Sequence, residues 1–373
     1  MSGARSALRI LVVNAGSSSL KLRVIEADDR VSATADLPAR GGHVEDSAIE
    51  TTLRGFGKVD AAGHRVVHGG NQFSEAVRID ERVEQQLHAL ADLAPLHQPA
   101  ALAVLAAVRR VLPQVPAVAC FDTAFHAAMP VAATTYALPA EWRSRWKLRR
   151  YGFHGLSHAY ASRRAAELLG PSPDGLRVVT CHLGAGASLA AVADGLSRDT
   201  TMGFTPLEGL VMATRSGSVD PGLVLWLQEH VGMPARELAE TLEHRSGLLG
   251  LAGTAEMDKI IDRAGRGDRD AVLALDVYVH RLRAGIAAMA AAMNGLDALV
   301  FTGGVGEHAP AIRARAAEGL GFLGVRLDEK RNVSAGGDRE ISGNEAAVRS
   351  FVIEAREDLE IARQVRGVME TRA

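Results

Sequence analysis

Two stretches of this chain, residues 9–29 (RILVVNAGSSSLKLRVIEADD) and 177–195 (RVVTCHLGAGASLAAVADG), follow one pattern. Each is an apolar strand-like run, a loop of small residues, a second apolar run and a turn rich in Asp or Gly. Either one unit has been duplicated, or two hairpins are alike by chance. Duplication is the more constraining reading. It asks for two similar domains, each offering a small-residue loop at a strand tip and closing over a common cleft. The chain's 373 residues suffice for two domains.

The remaining pattern alternates strand-like runs with helical ones, which points to an α/β fold. Residues 8–13 and 20–25 read as a hairpin. Residues 98–111 read as a helix stopped near Pro113, and 115–121 as a buried strand. Ser157 is placed to cap a helix running to Gly170. A long helix is expected over 272–294, then a strand in DALVFTGG, a helix opened by Pro310, a last strand in AVRSFVIEA and a last helix over 357–369.

Apolar residues make up 47% of the chain and charged ones 23%, so a real core can form. The formal net charge of −2 gives no basis for a nucleic-acid or acidic-membrane partner. Cys120 and Cys181 sit in apolar runs and read as buried, reduced thiols of a cytoplasmic protein. ILVV meets Asn14 too soon for a signal-peptide core, and the Ala-rich segment 284–294 is too short to span a membrane. Residues 26–60 carry no functional signal.

The loop after Asn14 offers Ser17, Ser19 and Lys21. Small residues let backbone N–H groups approach an anion, hydroxyls add donors, and Lys21 adds a point charge. By itself the loop reads as a phosphate cradle or as a polar hairpin turn, and its spacing is not that of a Walker A loop. Two more glycine-rich turns, CHLGAGAS (181–188) and FTGGVGEH (301–308), follow strands, which suits a ligand with several phosphates. GHRVVHGG, CFDTAFH, YGFHGLSH and TRSGSVDPG set Arg65, Asp122, His154 and Arg215 beside glycines, where chemistry usually sits.

Taken in order, NAGSSSLK, GHRVVHGG, LAPLH, FDTAFH, YGFHGLSH, HLGAGAS, MGFTPLEGLVMATRSGSVDPG, FTGGVGEH and VIEAREDLEIAR resemble the acetokinase family, part of the acetate and sugar kinase/Hsp70/actin superfamily. The resemblance covers nearly the whole chain. It implies a duplicated ribonuclease-H-like (actin-like ATPase) two-domain fold with mixed sheets flanked by helices. The N-terminal acceptor-side domain would comprise residues 1–124 closed by 358–373, and the nucleotide-binding domain 125–357. It further implies reversible transfer of the ATP γ-phosphoryl group to acetate, Mg²⁺ (or Mn²⁺ in its place), and a homodimer.

Site roles follow from the same resemblance. Arg65 would hold the acceptor carboxylate, with Val67, Leu96, Phe153 and Pro206 around its methyl group. Asp122, His154 and Arg215 match the catalytic residues, and Asn14 and Glu357 the metal-associated ones. The last pair predicts that the two chain ends meet. Nucleotide contacts fall on Ser17, Ser19 and Lys21, then on His182, Leu183, Gly184, Ala185 and Gly186. They continue on Met257, Asp258 and Lys259, and on Gly304, Val305, Gly306, Glu307 and His308. A carboxylic acid of pKa roughly 4 to 5 is ionised at neutral pH, so the acceptor needs no general base and Asp122 is expected to orient a cation. Alignment and neutralisation of two anions are what the site must supply.

The chain departs from the family pattern mainly on the nucleotide side. Ala185 replaces a phosphate-contacting Asn, with Ala187 beside it, and His308 replaces another Asn. Met257 and Lys259 stand for an Asp and an Arg, Arg356 for an Asn, and Gln98 for the Asn of LHNP. Besides an acetate kinase, a propionate or other short-chain acyl kinase, a kinase using a donor such as pyrophosphate, and a non-catalytic paralogue stay open at this stage.

Overall fold

A computed structural model describes residues 8–16, 19–39, 44–91, 98–170 and 175–371. Two compact units emerge. One is built from described residues up to 127 with 155–160 and 356 onward, the other from 128–154 and 161–355.

In the first unit, β1 (Ile10–Ala15), β2 (Ser19–Ile25), β3 (Val31–Pro38), β4 (Ala61–Val66), β5 (Val77–Arg78) and β6 (Ala117–Phe121) form a mixed sheet ordered β3-β2-β1-β4-β6-β5. β1 runs antiparallel to β2 and parallel to β4, which runs parallel to β6. A strand covered on both faces reads as an unbroken apolar run, and β1 does. Leu11 and Val13 pack with Ile49 and Leu53 of helix Asp46–Phe56 and with Val104 and Val108 of helix Gln98–Val111. Ile10 and Val12 face the other way, onto Ile361, Ala362 and Val365 of helix Glu357–Glu370. That helix seats over Gly63 of β4, where an added Cβ would lie 2.5 Å from Ile361 and 2.6 Å from Val365. The last helix thus packs on the first domain as expected.

The second unit repeats the plan. β7 (Arg177–Leu183), β8 (Ala187–Ala193), β9 (Leu196–Thr200), β10 (Ala298–Thr302), β11 (Arg339–Glu340) and β12 (Arg349–Val352) run in the order β9-β8-β7-β10-β12-β11. Again the first two strands form a hairpin, and β7, β10 and β12 run parallel. The two sequence stretches that read alike occupy equivalent places in two sheets of one topology, so duplication is the better account. Helix Arg269–Ala292 lies against β7, β8 and β9.

Local expectations mostly hold, with three adjustments. The long helix starts at Arg269, because the Asp268 carboxylate accepts from the N–H groups of Asp270 and Ala271. Ser157 does not cap its helix. The helix begins at Gly155 with His154 as its N-cap, and Ser157 is buried in the first turn. The third glycine-rich stretch is a short helix, Gly303–His308. Among the described residues no helix is long and apolar enough to cross a membrane. Cys120 and Cys181 are buried free thiols, and burial pushes both well above the ordinary thiol range.

Candidate active site

Parallel pairing aligns the C-terminal ends of β1, β4 and β6, the edge where open α/β sheets bind ligands. The ladder sets Val13 opposite His64 and Arg65 opposite Cys120. Carried one residue on, the register sets Asn14 level with Arg65 and Cys120, and Asp122 follows two residues beyond Cys120, so the three polar side chains gather at one end of the sheet. Arg65 donates from Nε to Asp122 Oδ1 at 3.0 Å and from Nη2 to Oδ2 at 2.6 Å, a bidentate pair. Its Nη1 donates to Asn14 Oδ1 at 3.2 Å. Asn14 Nδ2 donates in turn to Glu357 Oε2 at 2.9 Å, across 343 positions of sequence, so the chain ends do meet. Glu357 also lies 4.0 Å from Arg65 Nε.

Burial works against the Arg65 charge, but Asp122 and Glu357 outweigh it and hold the guanidinium above its ordinary value. Burial lifts the Asp122 carboxyl, and Arg65 opposes that lift. Two N–H groups of Arg65 donate to the two oxygens of Asp122, so Asp122 holds one edge of the guanidinium in place.

His64, beside Arg65 on β4, points to the opposite face, as alternation requires. It is buried, its Nε2 has no hydrogen-bond partner, and burial followed by the charge of Arg109 lowers its pKa to about 3. An unfolded histidine titrates near 6.5, so below that pH the unfolded chain binds the extra proton. This contribution to stability is complete above pH 6.5 and is lost as the pH falls towards 3. We expect urea unfolding of the wild type to weaken by about 1 kcal/mol per pH unit between pH 6 and 4.5 from this residue. A His64→Leu variant should show a correspondingly flatter profile. Equal slopes for the two proteins would refute the assignment.

In the second unit, His182, next to last in β7, lies opposite Ser188 of β8. His154 stands at φ 56°, a left-handed conformation rare for a non-glycine residue. Its Nδ1 lies 2.9 Å from Ser188 Oγ, and its ring centroid is 4.3 Å from that of His182. Gly186 closes this group. A Cβ there would come within 3.1 Å of the His154 ring and 3.4 Å of Arg215 Nη1. Arg215 donates from Nη1 to the Pro206 carbonyl at 3.2 Å. His154 and Arg215 are therefore neighbours across one bare glycine, with the His182 ring beside that of His154. Ser188, buried and facing His154, was not picked out from sequence; it is the one polar side chain in the apolar run of β8.

The short helix Gly303–His308 is held at both ends. Glu307 Oε1 accepts from Gly303 N at 3.0 Å and from Ala355 N at 2.9 Å. Arg313, 1% exposed, donates from Nη1 to the carbonyls of Gly306 and Glu307 and from Nε to Asn332 Oδ1. The carboxylate of Glu307 is thus taken up by backbone, while Gly304 and His308 are exposed. Sequence reasoning also missed Arg313; only its burial marks it.

The other expected residues are placed as follows. Ser19 closes the hairpin turn by accepting from Gly16 N at 2.9 Å, and Lys21 pairs with Asn14 in register and is exposed. Leu183 is buried, Gly184 N donates to the Gly186 carbonyl at 2.9 Å, and Ala185 is exposed. Met257 is buried in the first turn of helix Met257–Gly265, whereas Asp258 and Lys259 are exposed, Lys259 pairing with Glu256 at 2.5 Å. Val67 and Phe153 are buried, Pro206 is half-buried, and Val305 is half-buried. Ser17 and Leu96 lie outside the described residues. Among the described residues no group of three or more His, Cys, Asp or Glu could hold a metal ion on its own.

Comparison with known proteins gives a consistent picture. The sequence profile of the acetokinase family matches residues 45–363. The chain is 42% identical over 397 residues to an acetate kinase of Pseudothermotoga lettingae, covering 98% of both proteins. Its fold matches the crystal structure of Porphyromonas gingivalis acetate kinase at TM-score 0.89 and 36% identity, covering 97% of this chain and 100% of that one. A propionate kinase from Francisella tularensis matches at TM-score 0.88 and 36% identity, over 96% and 98% of the two chains.

Proposed function

Because this chain belongs to the acetokinase family, we propose that it transfers the γ-phosphoryl group of ATP reversibly to acetate, giving acetyl phosphate and ADP. The full-length identity to an acetate kinase carries the reading. A carboxylate oxygen of acetate attacks the γ-phosphorus, the bond to the bridging oxygen breaks, and that electron pair leaves on ADP. No proton need move, because the acceptor is already an anion at neutral pH.

In this reading the first unit is the acceptor side and the second the nucleotide side. Arg65, aimed by Asp122, receives the acetate carboxylate; a fork of N–H donors matches that planar anion. Val67, Leu96, Phe153 and Pro206 bound the methyl group. His154 and Arg215 stabilise the charge that spreads over the phosphoryl oxygens. Nucleotide contacts come from Ser17, Ser19 and Lys21, from the loop His182–Gly186, from Met257, Asp258 and Lys259, and from the segment Gly304–His308. Ala185 has no side-chain donor and Met257 is buried, so backbone N–H groups take a larger share of nucleotide binding.

Asn14 and Glu357 supply hard oxygen donors that their own hydrogen bond brings together. Such a pair suits Mg²⁺, which keeps several waters and shares itself with substrate phosphates. Bound there, Mg²⁺ or Mn²⁺ would neutralise phosphate charge. We also read the protein as a cytoplasmic homodimer. Helix Pro221–His230, which buries none of its residues and exposes Leu225 and Trp226, supports the dimer. The buried free thiols support the location.

The Francisella structure favours a second reading, a propionate kinase. Trapping acyl phosphate with hydroxylamine separates the two. We expect acetate with ATP to give the highest kcat/KM, and propionate to fall below it by roughly 5- to 150-fold, as one methylene of discrimination allows. A higher value with propionate, or product from pyrophosphate alone, would correct the substrate. No hydroxamate from acetate, propionate or butyrate with ATP, GTP or pyrophosphate would leave a non-catalytic paralogue.

A further inference from the structure

Glu208, at the end of the stretch TMGFTPLE (201–208), accepts two hydrogen bonds. One comes from Tyr136 Oη at 2.7 Å and the other from Arg150 Nη2 at 2.6 Å. Arg150 also donates from Nη1 to the carbonyls of Thr201 at 3.1 Å and Met202 at 3.0 Å. Tyr136 Oη, besides donating to Glu208, accepts from Phe204 N at 2.8 Å. Burial, then the bond to Glu208, raises the phenol above its ordinary range, so it stays a donor to the carboxylate. Three side chains thus tie down both ends of a short loop. Gly203 sits inside the knot, where an added Cβ would overlap the Glu208 carboxylate and the Tyr136 hydroxyl.

What the loop holds gives the knot its meaning. The Gly203 carbonyl accepts from Tyr151 N at 3.0 Å and Gly152 N at 3.3 Å, the residues that lead into His154. Three positions after Gly203, the Pro206 carbonyl accepts from Arg215 Nη1 at 3.2 Å. One loop therefore anchors the chain ahead of His154 and the guanidinium of Arg215. A polar network of this kind is stiff only while every member is satisfied.

We propose that Tyr136, Arg150 and Glu208 form a positioning cluster for phosphoryl transfer, holding the loop 201–208 so that His154 and Arg215 keep their mutual placement. The inference rests on the roles given to His154 and Arg215 above. None of the three cluster residues is asked to touch substrate. A small misplacement of a catalytic cation can cost up to a hundredfold in rate, so loosening the knot should appear in kcat and not in nucleotide affinity.

The test is a double-mutant cycle with Tyr136→Phe and Arg215→Lys, with kcat from the hydroxamate assay, ADP affinity from calorimetry and stability from urea unfolding. We expect Tyr136→Phe to lower kcat about tenfold with the ADP dissociation constant within about twofold of wild type. In the Arg215→Lys background the same change should cost less than about twofold, because the group being positioned is gone. Glu208→Gln should repeat this behaviour and replaces Tyr136→Phe if that variant does not fold. A kcat within twofold of wild type, or an equal loss in both backgrounds, overturns the cluster while leaving the proposed reaction intact. A wild-type protein that makes no acyl phosphate overturns the reaction itself, and this inference with it.

Discussion

Replacing Arg215 with alanine should lower kcat by roughly 10²–10³ while changing ADP affinity by less than about twofold, since one donor aimed at developing charge is worth about 3–4 kcal/mol of barrier. The expectation follows from where the guanidinium stands. Its Nη1 is held at 3.2 Å by the Pro206 carbonyl and is kept beside His154 by a glycine that leaves no side chain between them. A bare glycine there leaves room for phosphoryl oxygens between two potential donors. In the proposed role Arg215 meets the phosphoryl oxygens as the group flattens between the leaving and attacking oxygens, so its removal should be felt more in the transition state than in the bound nucleotide. Lysine, a compact point charge without the fork, should recover part of the rate. Steady-state kinetics in both directions, with calorimetry for ADP, measure the split. A large loss of ADP binding with kcat preserved would make Arg215 a nucleotide-binding residue instead.

Asp122→Ala should be felt in stability and acceptor affinity together. Asp122 is 1% exposed and takes two hydrogen bonds from Arg65. Removing one partner of a buried pair typically costs about 3–5 kcal/mol, chiefly because the other charge is stranded. Here Arg65 keeps a bond to Asn14 and has the Glu357 carboxylate at 4.0 Å, so about 3 kcal/mol is the expected loss in urea unfolding. The freed guanidinium should turn towards Glu357 and away from the acceptor. We expect KM for acetate to rise at least about tenfold, and the Mg²⁺ needed for half-maximal activity to rise as well, since Glu357 would be engaged. Asp122→Asn, which keeps one acceptor oxygen, should fall between. An unchanged acetate KM in a folded Asp122→Ala protein would remove Asp122 from its role as the residue that aims Arg65.

The group of Asn14, Arg65 and Asp122 was legible in part, because two of its members sit where a strand run ends. A run such as ILVV announces a buried strand, and the residue where the run turns polar is the one delivered to the sheet's edge. Asn14 and Asp122 obey this, whereas Arg65 lies inside its strand with Val66 and Val67 after it. Ser157 failed as a cap because Ser, Thr and Asp caps are a preference, whereas the observed start exploits a left-handed His154 followed by a glycine. A Cβ at Gly155 would overlap the Asp122 carbonyl, to which Gly155 N donates at 2.9 Å. FTGGVGEH read as an open glycine turn and is a helix. Its stability comes from Arg313 and Glu307 binding its two ends, and neither bond has a signature in the local sequence.

The succession of most strands and helices, the repeated hairpin pattern and the kinds of residue set at each loop were written in the chain, because hydrophobic period and glycine placement are local properties that a segment carries wherever it goes. Which side chains bond to which was decided only on folding. Glu357 reaches Asn14, Ser188 reaches His154, and Glu208 closes on Tyr136 and Arg150 across intervals that no local pattern encodes. Hydrogen bonds and ion pairs act over about 3 Å, and only tertiary packing brings residues from distant parts of the chain within that reach.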